Sequence, residues 1–156
     1  MRWRAAAPSN RSLVRKRTQC YRSRVGTDIH WFVERRANAS SLWVLLDGDV
    51  PFLHVDDSPL VYRGRNYELF GALAGVRGAT HRQLPVRGLP VDVSPIVAAC
   101  TTVEDHYRGH GFASILELRQ LFGREFSDFV FEAVVECMDQ YTKDGAEVRA
   151  VFWFDG

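Results

Sequence analysis

Seven polar residues have the chemistry needed to hold a small charged ligand. Arginine presents a planar fork of N–H donors that matches phosphate and carboxylate groups, and aspartate or histidine can orient the polar groups of the same ligand. Arg77 and Arg87 lie in an irregular stretch that contains no acidic residue before Asp92. The residue types predict a site for a small phosphorylated or nucleotide-like ligand, and its candidate members are Asp28, His30, Arg65, Arg77, Arg87, Asp92 and His110.

The alternative for these arginines is structural. Acidic side chains at Asp56, Asp57, Asp92 and Glu104 could pair with them and fix a long loop, which would leave no cation for a ligand. A helix that begins at Ser94 favours ligand binding instead, because the free N–H groups at a helix N-terminus attract anions. Both interpretations stay open at the level of the sequence.

A metal site is a second interpretation of some of the same residues. Asp28 and His30 are two positions apart in a stretch that alternates as a β-strand does, so both side chains are expected on one face. His110, with Asp105 or His106 from the same later loop, could complete a set of ligands for a divalent metal. Such an ion makes a bound water nucleophilic, which would give a metal-dependent hydrolase. The structural alternative is an aspartate that orients a histidine through a hydrogen bond.

Other catalytic and compartment signals are missing from the sequence. No Gly-x-Ser-x-Gly nucleophile motif, phosphate-binding loop or dinucleotide fingerprint occurs. Cys20, Cys100 and Cys137 form no short-spaced pair, which favours a reduced, cytoplasmic setting. No apolar run reaches the roughly 18 residues that span a bilayer, so no membrane partner is expected.

The charge of the chain changes abruptly after Arg24. Residues 1–24 carry eight Lys and Arg side chains and no acid, whereas residues 25–156 carry 12 Lys and Arg against all 19 Asp and Glu, so the net charge of +1 combines +8 with −7. The first segment is expected to be a basic extension that is disordered or stems from a mis-assigned start, with Val25 as the true first residue. Its alternative is an arm that contacts nucleic acid. Residues 25–156 are expected to form a single domain.

Hydrophobic patterning predicts an α+β domain. Residues 28–35 alternate between two faces, the polar break at residues 38–41 indicates a hairpin, and residues 148–154 are apolar on both faces, as in a strand covered on both sides. We expect a small mixed β-sheet made of this N-terminal hairpin and the C-terminal strand, which lies centrally beside the first strand. About four helices cover the sheet, and capping residues predict their starts near Asn66, Ser94, Ser114 and Ser127.

Two irregular polar loops, residues 76–92 and 105–111, interrupt these elements. Long loops are uncommon in compact domains unless they are functional or disordered. We expect the two loops to converge near the end of the first strand and to assemble the predicted polar site there.

Five separated motifs occur in one order along the chain: Gly26-Thr27-Asp28-Ile29-His30 with Val33-Glu34, Arg65-Asn66-Tyr67, Leu73-Ala74-Gly75-Val76-Arg77, Arg87-Gly88-Leu89-Pro90 with Asp92 and Ser94, and Val151-Phe152-Trp153-Phe154-Asp155. Together they resemble the motifs of a family of small bacteriophage proteins that typically begin Met-Gly-Cys/Thr-Asp-Ile-His. The resemblance covers nearly all of residues 25–156, and it implies kinship rather than a particular activity. Relatives often carry a His-Ser-His-Ser-Trp segment, of whose paired histidines this chain keeps only His110.

The expected function is that of an accessory protein encoded by a bacteriophage. It would act in the cytoplasm of the infected bacterial host, bind a small phosphorylated or nucleotide-like ligand, and thereby interfere with host signalling or metabolism. One alternative is a hydrolase that uses a divalent metal held by Asp28, His30 and His110. Another is a non-enzymatic interaction or virion-associated protein whose basic segment touches nucleic acid or a capsid partner.

Overall fold

The computed structural model describes residues 26–48, 58–77, 83–102, 107–121 and 128–156. The basic segment 1–24, the possible helix start at Ser127, the proposed arginine partners Asp56, Asp57 and Glu104, and the proposed metal ligands Asp105 and His106 lie outside these residues. The described elements are, in chain order, β1 (Asp28–Arg36), β2 (Val44–Gly48), α1 (Tyr67–Ala74), α2 (Pro95–Thr101), β3 (Arg108–Ser114), α3 (Ile115–Leu121), α4 (Phe129–Asp139), a 3-10 helix (Gln140–Gly145) and β4 (Glu147–Asp155).

The four described strands form one sheet in the order β2-β1-β4-β3. Strand β1 pairs antiparallel with β2 in the N-terminal hairpin and antiparallel with β4, which in turn pairs antiparallel with β3. The α+β class, the hairpin and the central place of the C-terminal strand beside the first strand are confirmed. All three pairings are antiparallel, whereas a mixed sheet was expected.

Both central strands are buried on two faces, as their apolar patterns predict. Ile29, Trp31 and Val33 on β1 point into the larger hydrophobic core, where helices α1, α3 and α4 pack. Phe32 points to the opposite face and contacts a smaller core that includes Val97 of α2. The domain therefore has three layers, with the sheet between a three-helix layer and a thinner layer made of α2 and the chain that precedes it.

Local signals that set the helix ends are largely as predicted. The Asn66 side chain caps α1 by accepting hydrogen bonds from two backbone N–H groups, and Gly75 ends this helix with φ 68°. Ser114 and Glu117 form the reciprocal hydrogen bonds of a capping box at the start of α3. Helix α4 is capped by Asp128, whose side chain accepts from the Phe131 N–H.

Strand β3 occupies residues that the sequence suggests are a polar loop. Gly109 adopts φ 62°, and a Cβ atom at this position would collide with Val76 and Phe154. A Cβ atom at Gly111 would collide with Phe152. Glycine is required at both positions because side chains from the core fill the space beside the strand. The glycine content that is typical of a loop therefore serves close packing of a strand here.

A buried ion pair joins the two central strands on the face covered by α2. Glu34 and Arg149 are opposite each other on β1 and β4, and Arg149 Nε donates to Glu34 Oε2 at 2.8 Å. The second carboxylate oxygen of Glu34 accepts the backbone N–H of Ser94 at 2.7 Å, and Arg149 also donates to the Asp92 side chain at 2.8 Å. Its guanidinium lies 3.9 Å from the centre of the Trp43 ring. The pair thereby fixes the start of α2 to the sheet.

None of the described helices has the length and apolar character needed to cross a membrane. The longest α-helix, α4, contains 11 residues.

Replacing Arg149 with methionine should lower the free energy of unfolding by about 3–5 kcal/mol, because the Glu34 charge would stay buried without its partner. The matched control is Arg119→Met. Arg119 pairs with Asp139 at 2.9 Å on the surface, where both side chains are more than two-fifths exposed, and its loss should cost less than about 1 kcal/mol. Urea denaturation of both variants measures the difference. Similar losses in the two variants would show that burial of the pair of Glu34 and Arg149 adds nothing to the cost of breaking it.

Candidate functional site

One end of the sheet brings together the start of β1 and the end of β4. The Asp155 carboxylate accepts the backbone N–H of Asp28 through Oδ1 at 3.0 Å, and its Oδ2 lies 3.3 Å from His30 Nε2. Asp155 therefore links the two residues that were predicted from the first strand. The side chains of His30 and Asp155 are 20% and 23% exposed, so the pair lies at the surface without being fully open to water.

Arg65 closes the outer side of this arrangement. Its Nε and Nη2 donate to the two carboxylate oxygens of Asp28 at 2.5 and 2.9 Å, in the bidentate geometry that suits arginine. The hydrogen bond to Asp28 raises the pKa of Arg65 above its ordinary value. Because its Nη1 takes no part in this clamp, the exposed guanidinium keeps donors for a further acceptor.

Arg77 reaches the same strand end from the other side. Its Nε donates to the hydroxyl of the fully buried Thr27 at 2.7 Å, and its guanidinium lies 5.7 Å from the centre of the Tyr67 ring. The Arg77 backbone has φ 65°, a left-handed conformation that non-glycine residues rarely adopt. The turn after α1 therefore aims this arginine at the strand end.

Four rings lie beside these charges on the face covered by α2. The His30 ring centre is 4.9 Å from that of Tyr107 and 5.7 Å from that of Trp153. The ring of His110, on the neighbouring strand, is 5.9 Å from Trp153 and 29° from parallel to it. We call His30, Tyr107, His110 and Trp153 the aromatic cluster, and the wider group that adds Asp28, Arg65, Arg77 and Asp155 the sheet-end site.

His110 is the member of this cluster that is most available for hydrogen bonding. Its side chain forms no hydrogen bond with any part of the chain that the structure describes, although it is partly buried. Burial lowers the pKa of His110 below its ordinary value of 6.5, so the neutral imidazole predominates at pH 7. A neutral imidazole carries one donor and one acceptor nitrogen.

Two predicted members lie elsewhere. Asp92 accepts hydrogen bonds from Arg149 and Trp43, and the hydrogen bond from Arg149 lowers its pKa. Arg87 is ion-paired with Glu117 at the start of α3. The structural interpretation of the arginines expected an acidic partner, although it named acids other than Glu117.

These two residues belong to the opposite end of the sheet. Asp92 is joined through Arg149 to Glu34, four positions along β1 from His30, which corresponds to about 13 Å. Neither Arg87 nor Asp92 forms a hydrogen bond or ion pair with a member of the sheet-end site within the described residues. The structure thus brings together five of the seven predicted residues, Asp28, His30, Arg65, Arg77 and His110.

The predicted metal triad is not assembled. Within the described residues, no group of three or more His, Cys, Asp and Glu side chains is arranged to hold a metal ion, and Asp28, His30 and His110 are all described. Both oxygens of Asp28 accept from Arg65, and His110 lies on the far side of β4 from His30. A metal site that also uses Asp105 or His106 involves residues outside the described part of the chain and stays a prediction.

Sequence reasoning missed Asp155, Tyr107 and Arg108 as members of this region. Asp155 joins the site only because β1 and β4 pair antiparallel, which places it opposite Asp28. Arg108 begins β3 and is exposed, next to the Gly109 backbone that packs against the end of α1. An alternation count carried through to the end of the last strand would have placed Asp155 on the His30 face.

The chain matches no protein-family model, no curated protein and no solved structure.

The lowered pKa of His110 predicts a pH dependence of stability. As pH falls through about 6.5, the unfolded chain binds a proton at His110 before the folded chain does, so the free energy of unfolding decreases. The variant His110→Gln cannot bind that proton, and it should lose less stability than the parent between about pH 8 and about pH 5.5. Urea denaturation at both pH values measures the slopes. Equal slopes would contradict the burial of this imidazole.

Proposed function

We propose that the protein binds a small phosphorylated or nucleotide-like ligand at the sheet-end site. The observation that carries this proposal is the state of Arg77, which is held in place by Thr27 but forms no ion pair with any carboxylate in the described part of the chain. A fixed, exposed guanidinium without a counter-charge is suited to bind an anion. The ordering of this side chain by the protein lowers the entropic cost of binding.

The other arginines that were considered for this role differ from Arg77. The charges of Arg87 and Arg149 are matched by Glu117 and by Glu34, respectively. Arg65 is clamped by Asp28 but remains 45% exposed, and its free Nη1 can add a second contact to an anion at the same strand end. Among these arginines, the ones beside Asp28 and Thr27 keep donors for an anion, which supports a site at this end of the sheet.

Arg108 adds a further cation on an adjoining segment. Its side chain is exposed, and within the described residues it forms no ion pair with a carboxylate. Gly109 packs against Val76, so the backbones that carry Arg108 and Arg77 run next to each other. Two guanidiniums that have no carboxylate partner among the described residues, on neighbouring segments, favour a ligand that carries more than one negative charge, as a phosphomonoester does near pH 7.

The wider role is part of the same proposal. The resemblance of several sequence motifs to those of small bacteriophage proteins supports an accessory protein that acts in the cytoplasm of an infected bacterium and interferes with host signalling or metabolism by capturing such a ligand. Contact with nucleic acid through residues 1–24 stays a prediction from the charge of that segment.

Substituting Arg77 with alanine should weaken the binding of adenosine 5′-monophosphate and of inorganic pyrophosphate by roughly tenfold or more, because each loses a charge-assisted hydrogen bond. Isothermal titration calorimetry on the purified chain measures both affinities. Arg119→Ala is the matched control, since it removes another exposed arginine from α3 on a different part of the surface.

Binding to the parent and to Arg119→Ala with a clear loss in Arg77→Ala would support the proposal. A folded Arg77→Ala protein that keeps full affinity would refute the site. The absence of binding of any phosphorylated compound to the parent chain would refute the function itself.

A further inference from the structure

The aromatic cluster has no role in binding a phosphoryl group, yet it adjoins the cations that would do so. Arg65 contacts Asp28, the Asp28 backbone N–H contacts Asp155, and Asp155 contacts His30, so one chain of hydrogen bonds connects the two parts. Asp28 and His30 are two positions apart on β1, which corresponds to about 7 Å. Arg65, which binds Asp28, is therefore close enough to the His30 ring for one nucleotide-sized molecule to contact both.

The chemistry of the cluster is that of a platform for a flat ring. Tyr107 and His110 are both partly exposed, and the centre of each of these rings lies 5.9 Å from the centre of the Trp153 ring. Aromatic side chains at this spacing stack with a further planar ring through the same dispersion and quadrupole forces that hold them together. Every nucleobase offers such a ring face.

One polar side chain in the cluster lacks a hydrogen-bond partner in the described part of the chain. His110 is partly exposed, and its neutral imidazole offers one donor and one acceptor. A heteroaromatic base carries ring nitrogens and exocyclic groups that match this donor and this acceptor.

We infer that the aromatic cluster is a subsite for a nucleobase, so that the ligand of the sheet-end site is a nucleotide rather than a simple phosphate or sugar phosphate. This inference rests on the proposed function, because it assumes that Arg77 and Arg65 hold the phosphoryl group. The base stacks against Tyr107, and the edge of the His110 imidazole bonds to the edge of the base.

The test compares ligands that share a phosphate but differ in the base. Ribose 5-phosphate and the 5′-monophosphates of adenosine, guanosine, cytidine and uridine are titrated into the parent chain and into His110→Ala, Tyr107→Leu and Arg77→Ala. At least one nucleotide should bind the parent roughly tenfold more tightly than ribose 5-phosphate, which is the gain typical of base stacking. Tyr141→Ala, which removes an exposed ring from the 3-10 helix, is the matched control.

The two ring variants should lose this preference while their affinity for ribose 5-phosphate stays within about twofold of the parent, since the phosphate contacts remain. Arg77→Ala should weaken nucleotide and sugar phosphate alike and leave the preference unchanged. Thermal unfolding of each variant identifies any that fail to fold, and for those His110→Asn and Tyr107→Ser serve as replacements.

Equal binding of ribose 5-phosphate and of all four nucleotides to the parent would overturn the nucleobase subsite and leave the phosphate site intact. A nucleotide preference that survives in both ring variants would also overturn it. Failure of every compound to bind would instead remove the proposed function on which the inference rests.

Discussion

The buried pair of Glu34 and Arg149 is the interaction on which the rest of the α2-facing layer depends. An uncompensated charge at either position would be costly, because both side chains are removed from water. The same pair holds the Ser94 backbone and the Asp92 side chain, and thereby seats α2 on the sheet. The small core that this helix covers includes Trp153, the central ring of the aromatic cluster. Electrostatics at one end of the layer thus determine the packing beneath the candidate site at the other.

The two ends of this sheet face use arginine in opposite ways. At the Glu34 end, Arg149 is buried and fully engaged by carboxylates and by the Trp43 ring, so its charge serves the fold. At the Asp28 end, the arginines are exposed, and one of them is positioned by a hydroxyl group rather than by an acid. A hydroxyl orients a guanidinium without neutralising it. This difference in partner, more than the number of arginines, separates the structural cluster from the candidate binding site.

Much of the fold can be predicted from the sequence, because short-range patterns determine it. The alternation of Ile29, Trp31 and Val33 identifies β1 and its two faces, and Asn66 marks the start of α1. Strand β3 could not be predicted, since Gly109 owes its presence to side chains that arrive from other elements. The grouping of Asp155 with Asp28 likewise depends on strand register, which no local pattern specifies. The division of the arginines between the two ends of the sheet could not be predicted for the same reason.

The two glycines of β3 couple the hydrophobic interior to the candidate ligand site. Val76 and Phe154 fill the space beside Gly109, and Phe152 fills the space beside Gly111. His110 lies between the two glycines, so these apolar contacts determine the direction of its side chain. Substitutions that change the volume of those buried side chains would tilt the imidazole without replacing any exposed residue. If the site binds a nucleotide as we propose, its ligand preference would therefore change through substitutions in the hydrophobic core, at residues that do not contact the ligand.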